Sequence, residues 1–422
     1  MMVKRGLGTF SRLGVEKLVV IPLLLHMLSA EEIGNVVLAL GWGRLLLSFP
    51  AHGASDGLMR LHAAAHDKGE WPALMRAGLL LCSVIMIGVG GVVLVGALIG
   101  GQRETNPDLL FYGIPMGVVC ILEGMRAIAT TPLRIDLKFG TMGVIEAAVG
   151  VLMLLSIPLA LLFGVAGLLG GYLISALITL LITTWLIRGV ILSSQGSMKR
   201  WFIPLVSTSG IFALTSGFAS ATQQAGRLAL GFFESADTVT VFYAAEAVIM
   251  AMSVPITYVS GILYTLIARK SSMHTVSRKT MVQHMCGSLV GAGLFLIIAH
   301  IAGIWLLYRL YPSVAAEAEP VFRVKVWGAA FIVLYLLTRG FVYRFSRLRS
   351  ITLMSAINLL CVGGGVLILT PLYGLMGAAW GVTIGNVLLG LLWFGVYVTK
   401  YVFGQPPTVQ VLGVGQPDNA TS

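Results

Sequence analysis

Apolar stretches of spanning length recur along the chain at about 10–28, 33–55, 76–99, 108–131, 139–162, 165–187, 203–231, 238–266, 285–308, 323–345, 350–371 and 374–399. An α-helix needs about 20 apolar residues to cross the hydrocarbon layer, and each stretch meets that length. The pattern therefore predicts an all-α integral membrane protein with about twelve transmembrane helices. The first stretch is the least regular, interrupted by Arg12, Glu16, Lys17 and Pro22. A signal peptide would explain its basic start at Lys4 and Arg5, but the small-x-small cleavage pattern is missing. Between the second and third stretches, residues 57–75 mix polar and apolar positions and predict an amphipathic helix lying in the membrane interface. His62 and His66 sit one turn apart there, a spacing that can hold a metal, although a solvated helix face is the expected reading for two lone histidines. After residue 403 the chain turns to Gly, Pro and polar residues, which predicts a disordered tail over 404–422.

Composition closes off a soluble reading: 57% of residues are hydrophobic and 11% charged, with a mean hydropathy of +0.92. The formal charge of +11 raises a nucleic-acid partner, so the positions of the charges must decide. Lys and Arg gather in alternate loops, at Lys4, Arg5, Arg60, Lys68, Lys138, Lys199, Arg200, Arg269, Lys270, Arg278, Lys279 and Lys400. The intervening loops hold Arg103 and Arg309, with Arg323 and Lys325 at a helix start, and are otherwise acidic, carrying Glu31, Glu32, Glu104, Asp108, Glu234, Asp237, Glu317 and Glu319. Cytoplasmic loops carry the basic excess, so both termini are expected to be cytoplasmic. The charge is thus a topology signal, with no nucleic acid implied, and the basic loops face anionic membrane lipids. Cys82, Cys120, Cys286 and Cys361 are scattered through the spans and support neither disulfides nor a metal. No His-Glu-x-x-His motif or phosphate-cradling Gly-rich loop with Lys occurs, and the outer loops are short, so an intramembrane enzyme is not expected.

An internal repeat organises the chain. FGVAGLLGG at Phe163–Gly171 returns as YGLMGAAWG at Tyr373–Gly381, placing Gly164, Gly167 and Gly171 over Gly374, Gly377 and Gly381 at a constant offset of 210. Upstream, with small slips, Arg126 matches Arg339, Arg134 matches Arg347, and Glu146 matches Asn358. SAEEIGNVVLALG with its SFP at Pro50 echoes SADTVTVFYAAEA with its SVP at Pro255. The expected organisation is two six-helix lobes, 1–195 and 196–403, as parallel repeats.

The segments HMLSAEEIGNVVLALG, LGFFESADTVTVFYAAEAVIMAMSVPI and LTPLYGLMGAAWGVTIGN resemble those of polysaccharide (O-antigen, Wzx-type) flippases. That family belongs to the multidrug, oligosaccharidyl-lipid and polysaccharide (MOP) exporter superfamily. The resemblance spans nearly the whole chain but rests on loose glycine and proline patterns. It implies a V-shaped pair of lobes around a central cavity, in a bacterial inner membrane. An isoprenoid (undecaprenyl) diphosphate-linked oligosaccharide would cross there by alternating access, with H+ or Na+ as coupling ion and polysaccharide-assembly proteins as candidate partners. No cofactor is implied. The lipid II branch of the superfamily usually carries two extra helices, against which twelve spans argue. The multidrug/cation antiporter branch is the alternative, and it usually uses an acidic residue in the first helix. Glu16 is the only candidate for that role, placed by the sequence near the cytoplasmic end beside Arg12.

Ionisable groups inside spans cost on the order of 3 kcal/mol or more at the bilayer centre, which makes each a functional candidate. Arg44 lies mid-span, with Ser48, His52 and Ser55 continuing its face. Ser216, Ser220, Gln223, Gln224 and Arg227 form a stripe at helical spacing. Tyr243, Glu246, Ser253, Thr257, Ser260 and Tyr264 share a face of the next span. Substrate-binding candidates are Arg44, Arg126, Arg227, Arg339, Gln223 and Gln224; ion-coupling candidates are Glu246, Glu123 and Glu146. Arg126 and Arg339 could instead snorkel, and Glu123 could neutralise Arg126 across one turn. Arg227 could pair with Glu246 at similar depth. The arginine excess suits an anion, because a guanidinium stays charged and forks onto phosphate oxygens.

Overall fold

The computed structural model describes residues 14–101, 107–136, 138–193, 196–269, 278–345 and 348–404. Among them no strand occurs, and twelve helical rods can be followed. The first half holds α1 (15–24, a π-helical turn Val15–Val20 running into Ile21–Leu24), α2 (Ala30–Asp67) and α3 (Trp71–Gly101). It continues with α4 (Pro107–Ala129, prolonged by Thr131–Ile135), α5 (Phe139–Met153, resumed over 156–163) and α6 (165–186). The second half holds α7 (Met198–Phe233), α8 (Ala236–Arg269) and α9 (Arg278–Ile298, a π turn Ala299–Gly303, then Ile304–Leu310). It closes with α10 (Ala315–Phe345), α11 (348–373) and α12 (375–397, ending in a π turn Val398–Val402). Nine helices among the described residues are long and apolar enough to span a membrane, when each glycine-hinged pair is taken as one rod.

Those hinges are the repeat glycines. Gly164 has φ 58° and ψ −140°, and Gly374 has φ 54° and ψ −133°. Any other residue would be strained at such positive φ. Beyond each hinge the chain folds back so tightly that a Cβ on Gly167 would collide with the Leu159 carbonyl, and one on Gly171 with the Ser156 backbone. The second hairpin repeats this: Gly377 abuts the Leu369 carbonyl and Gly381 the Val366 backbone. Donor and acceptor positions alike keep the offset of 210 read from the sequence. Close backbone approach through small residues is how membrane helices associate without a hydrophobic drive.

The second echo also has a structural meaning. Ser29 caps α2 in a capping box: its Oγ accepts the Glu32 N–H at 3.2 Å, and Glu32 Oε2 accepts the Ser29 N–H at 2.8 Å. Such a cap stabilises by about 1 kcal/mol. Ser235 stands at the same place before α8, and Pro50 and Pro255 lie inside the two helices. The starts of α2 and α8 touch, with Thr240 Oγ1 donating to the Ala30 carbonyl at 2.6 Å.

One expected element is corrected. Residues 57–75 form no separate interfacial helix, because α2 continues unbroken to Asp67 and α3 begins at Trp71. Leu58 and Ala65 are fully buried on the core side of α2, so packing holds the amphipathic stretch in line with the span. Gly69, at φ 67°, supplies the turn.

Helix α7 runs antiparallel to α2 along its whole length. Gly57 faces Ser209, Gly53 faces Ala213, Gly41 faces Gln224 and Leu228, and Leu38 faces Gly231. Midway, Ser220 Oγ donates to the Arg44 carbonyl at 3.2 Å. Helix α10 packs between α8 and the α11–α12 hairpin. Helices α1–α6 and α7–α12 make two lobes joined along this α2–α7 seam.

Candidate functional site

Six charged side chains from five helices converge between the lobes. Glu16 in the π turn of α1 is 1% exposed, and both its carboxylate oxygens lie 3.3 Å from Arg44 Nη2 of α2. Its neighbour Lys17 leaves the same turn in another direction, since consecutive helical residues point about 100° apart. Lys17 Nζ donates to Met250 Sδ of α8 and lies 5.3 Å from the Tyr243 ring centre. Its backbone carbonyl accepts the Tyr311 hydroxyl from the α9–α10 loop. One turn of α1 is thereby tied to both lobes, a use often seen for π-helical irregularities at functional sites.

The other three charges share one oxygen. Arg227 Nε of α7 lies 3.3 Å from Glu246 Oε2 of α8, and Lys325 Nζ of α10 lies 3.6 Å from that same atom. Arg227 is 2% and Lys325 8% exposed. Lys325 also sits 3.6 Å over the Phe242 ring, and Arg227 5.7 Å from the Tyr243 ring. Cation–π contact lowers the cost of burying both, by about 0.5–2 kcal/mol each.

Four cations (Lys17, Arg44, Arg227, Lys325) thus outnumber the carboxylates, with Glu16 and Glu246 in contact and Glu123 acting on Arg44. Ionised hydrogen bonds usually close to about 2.7–2.9 Å. The central pairs, at 3.3–3.6 Å, are longer than that, while pairs elsewhere are shorter: Arg126–Glu146 is 2.8 Å, Arg323–Glu319 2.6 Å and Arg200–Glu70 3.0 Å. Arg227 Nε and Nη1, Glu246 Oε2 and Gln224 Oε1 are buried with no aligned hydrogen-bond partner. Donors in excess, enclosed and incompletely satisfied, are chemically suited to receive an anion.

Of the residues singled out in the sequence, Arg44, Arg227, Glu246 and Gln224 come together here. Glu16 is corrected: its carboxylate is buried against Arg44 in the centre of the fold. Glu123 acts on Arg44 electrostatically. Arg126 is corrected as well, because its partner is Glu146 across the α4–α5 interface at 2.8 Å; tertiary packing overrides the one-turn neighbour Glu123. Arg339 is half-buried on α10, about 21 Å along the axis from Lys325. Gln223 is exposed on α7. Asn358 lines a cavity of about 190 Å³ between α11 and α12, with Cys361 and four apolar residues. Ser55 bonds Thr131 Oγ1 at 2.9 Å and packs α2 on α4. His62 and His66 have ring centres 5.5 Å apart, and no group of three or more metal-ligating side chains occurs among the described residues. Arg12, Glu104, Arg347, the side chains of Ser48 and Tyr264, and the tail from 405 lie outside the described residues.

Lys17 and Lys325 are the members that sequence reasoning missed. Lys325 precedes the apolar run of its span, so it reads as a helix start. Helix α10 in fact begins ten residues earlier, at Ala315, which carries Lys325 about 15 Å inward.

At the end of the fold that carries the 192–197 linker, Glu70 closes the α2–α3 turn onto α7. Its Oε1 accepts Arg200 Nη1 at 3.0 Å, and its Oε2 accepts the indole N–H of buried Trp201 at 2.9 Å. Lys68 sits 5.8 Å over the Trp201 ring.

No family model matches the chain, and no curated protein matches it. Solved structures do. The lipid II flippase MurJ, in an inward closed conformation, aligns with a TM-score of 0.71 at 12% identity, over 94% of this chain and 86% of that one. A MOP superfamily transporter from Pyrococcus furiosus, described as having a binding pocket of reverse polarity, gives 0.69 at 15% identity, over 94% and 95% of the chains. A multidrug resistance MATE family transporter in its outward-facing conformation gives 0.68 at 15%, over 94% and 95%. At these identities the likeness is one of fold: the chain has the two-lobed, twelve-helix fold of MOP superfamily transporters.

Proposed function

We propose that the protein is a transporter of the MOP type that carries an anionic, lipid-linked substrate by alternating access. The substrate is an isoprenoid diphosphate-linked oligosaccharide. It moves from the cytoplasmic to the outer leaflet of a bacterial inner membrane, for surface polysaccharide. The single observation that carries this reading is the buried cluster in which cations outnumber carboxylates and Arg227 Nη1 has no hydrogen-bond partner. Two guanidinium and two ammonium groups match the oxygens of a diphosphate, and a diphosphate diester brings negative charge against the excess of cations. A multidrug/cation antiporter would call for the reverse, an excess of buried carboxylates.

Orientation follows the basic loops. Lys68, Lys199, Arg200 and Arg278 cluster at the linker end, which is therefore cytoplasmic, and the Gly164 and Gly374 turns face outward. Lipid-facing positions such as Leu161, Leu162 and Leu372 are highly exposed in the protein alone, as a membrane-embedded surface requires.

The experiment is a flipping assay in proteoliposomes with a fluorescent isoprenyl diphosphate-oligosaccharide, read by quenching of outer-leaflet probe. Transport of that lipid, with no efflux of organic cations such as ethidium, is expected. Cation efflux without lipid movement overturns the reading in favour of the antiporter.

A further inference from the structure

We infer that Glu246 is a resident counter-ion: its carboxylate holds the place that a phosphoryl group of the ligand takes, and binding proceeds by displacing it. The inference rests on the transporter reading above and adds how the site discriminates and couples.

Three observations carry it. Arg227 and Lys325 approach a single atom, Oε2, from two different helices, so Glu246 sits where two cations from the second lobe meet. The contacts are 3.3 and 3.6 Å and Oε2 has no aligned donor. A carboxylate built as a permanent partner looks different here: Glu146 meets Arg126 at 2.8 Å, and Glu70 takes two donors at 3.0 and 2.9 Å. Finally, Arg227 Nη1 is buried with no hydrogen-bond partner, so Glu246 leaves it unsatisfied.

The two phosphoryl groups of a diphosphate diester present four non-bridging oxygens against the carboxylate's two, and they can meet donors that Glu246 cannot reach. The carboxylate keeps the empty site from standing with unpaired cations, a state that is costly in a low-dielectric interior. Once displaced, Glu246 is itself an uncompensated buried charge. It then takes a compensating H+ or Na+, which ties ligand binding to ion binding. Glu246 thus interacts differently with the two states, as coupling requires.

A site blocked by its own carboxylate nine times in ten loses about tenfold in apparent affinity. Removing the block should recover that factor. The test measures binding of an isoprenyl diphosphate, and separately of inorganic pyrophosphate, to the purified full-length protein in nanodiscs. Glu246→Gln is expected to bind both at least about tenfold more tightly than wild type. Glu246→Asp, which keeps the charge but withdraws it by one methylene, should gain less in the same direction. It also serves if Glu246→Gln is poorly recovered. Unchanged or weaker pyrophosphate binding in both variants overturns the counter-ion. Tighter pyrophosphate binding with no isoprenyl diphosphate binding in any form keeps the counter-ion and overturns the lipid reading instead.

Discussion

Arg323 and Lys325 stand two residues apart at the start of the same apolar run, and sequence gives no ground for treating them differently. The structure separates them. Arg323 is a rim residue, 54% exposed at its side chain and paired with Glu319 one turn away, whereas Lys325 is inside the charged cluster, 3.6 Å from Glu246. At an effective dielectric of about 20, a unit charge at that distance is worth roughly 4–5 kcal/mol before desolvation and reorganisation. Net losses for a hydrogen bond to a charged group are smaller, about 1.5–3 kcal/mol, or roughly ten- to 150-fold in affinity. Exposed pairs such as Arg323–Glu319 contribute only about 0.2–1 kcal/mol. Lys325→Met should therefore weaken isoprenyl diphosphate binding at least tenfold and slow flipping correspondingly. Arg323→Met should leave both within twofold of wild type. Methionine keeps a flexible apolar stem of similar length, so the comparison isolates the charge and its cation–π contact with Phe242. The measurements are ligand titration in nanodiscs and flipping in proteoliposomes, at matched folded protein. Equal effects of the two substitutions, or none from Lys325→Met, would refute the assignment of Lys325 to the site.

The other expectations concern different parts of the molecule. Arg44→Lys keeps charge but loses the planar fork and should weaken transport, while Arg44→Ala should abolish it with the protein still in the membrane. Because Arg44→Ala removes the Arg44 guanidinium from buried Glu16, a loss of about 3–5 kcal/mol is expected, and Glu16→Gln in the same chain should restore yield but not transport. Gly167→Ala and Gly377→Ala should each lower thermal stability in detergent, by about 1–3 kcal/mol or more. Gly170→Ala, which meets nothing within 4 Å, should be neutral; equal melting temperatures would count against the hairpin geometry. With Cys286 and Cys361 replaced by serine, a cysteine at Glu317 should react with an impermeant thiol reagent added outside cells. One at Lys199 should not react, and the opposite pattern would invert the topology.

The features legible in the sequence were those set by a single helix or by identity at a fixed spacing. Hydropathy marked the spans, and the glycine repeat announced itself because Gly164 and Gly374 need a positive φ and Gly167, Gly171, Gly377 and Gly381 meet neighbouring backbone. Arg44, Arg227 and Glu246 stood out as charges in apolar surroundings, which is a local signal. Partnerships were less legible, since they depend on how helices pack: Arg126 prefers Glu146 on α5 to Glu123 on its own helix. Helix ends misled where composition is mixed. The Ala-Glu-rich start of α10 hid the depth of Lys325, and the charged residues of α1 concealed a π turn that sends Glu16 and Lys17 to opposite lobes. Likewise the polar character of residues 57–67 suggested an interface, although the buried positions Leu58 and Ala65 fit the continued α2 equally well.

The seam between α2 and α7 has a mechanical consequence. In a bilayer the surfaces that meet there leave lipid chains and not water, so their adhesion comes from contact and fit. Dispersion between such surfaces is short-ranged, and a gap of only 0.5–1 Å forfeits about a quarter to a half of it. Gly57 on Ser209 and Gly53 on Ala213 interlock no bulky side chains at that end, and midway Ser220 donates a hydrogen bond to a backbone carbonyl. Two flat plates pressed together behave this way: they hold firmly when flush and hardly at all once parted. A seam of this kind makes partial separation of the lobes the unfavourable condition and leaves two stable ones, flush and fully apart, with a snap between them.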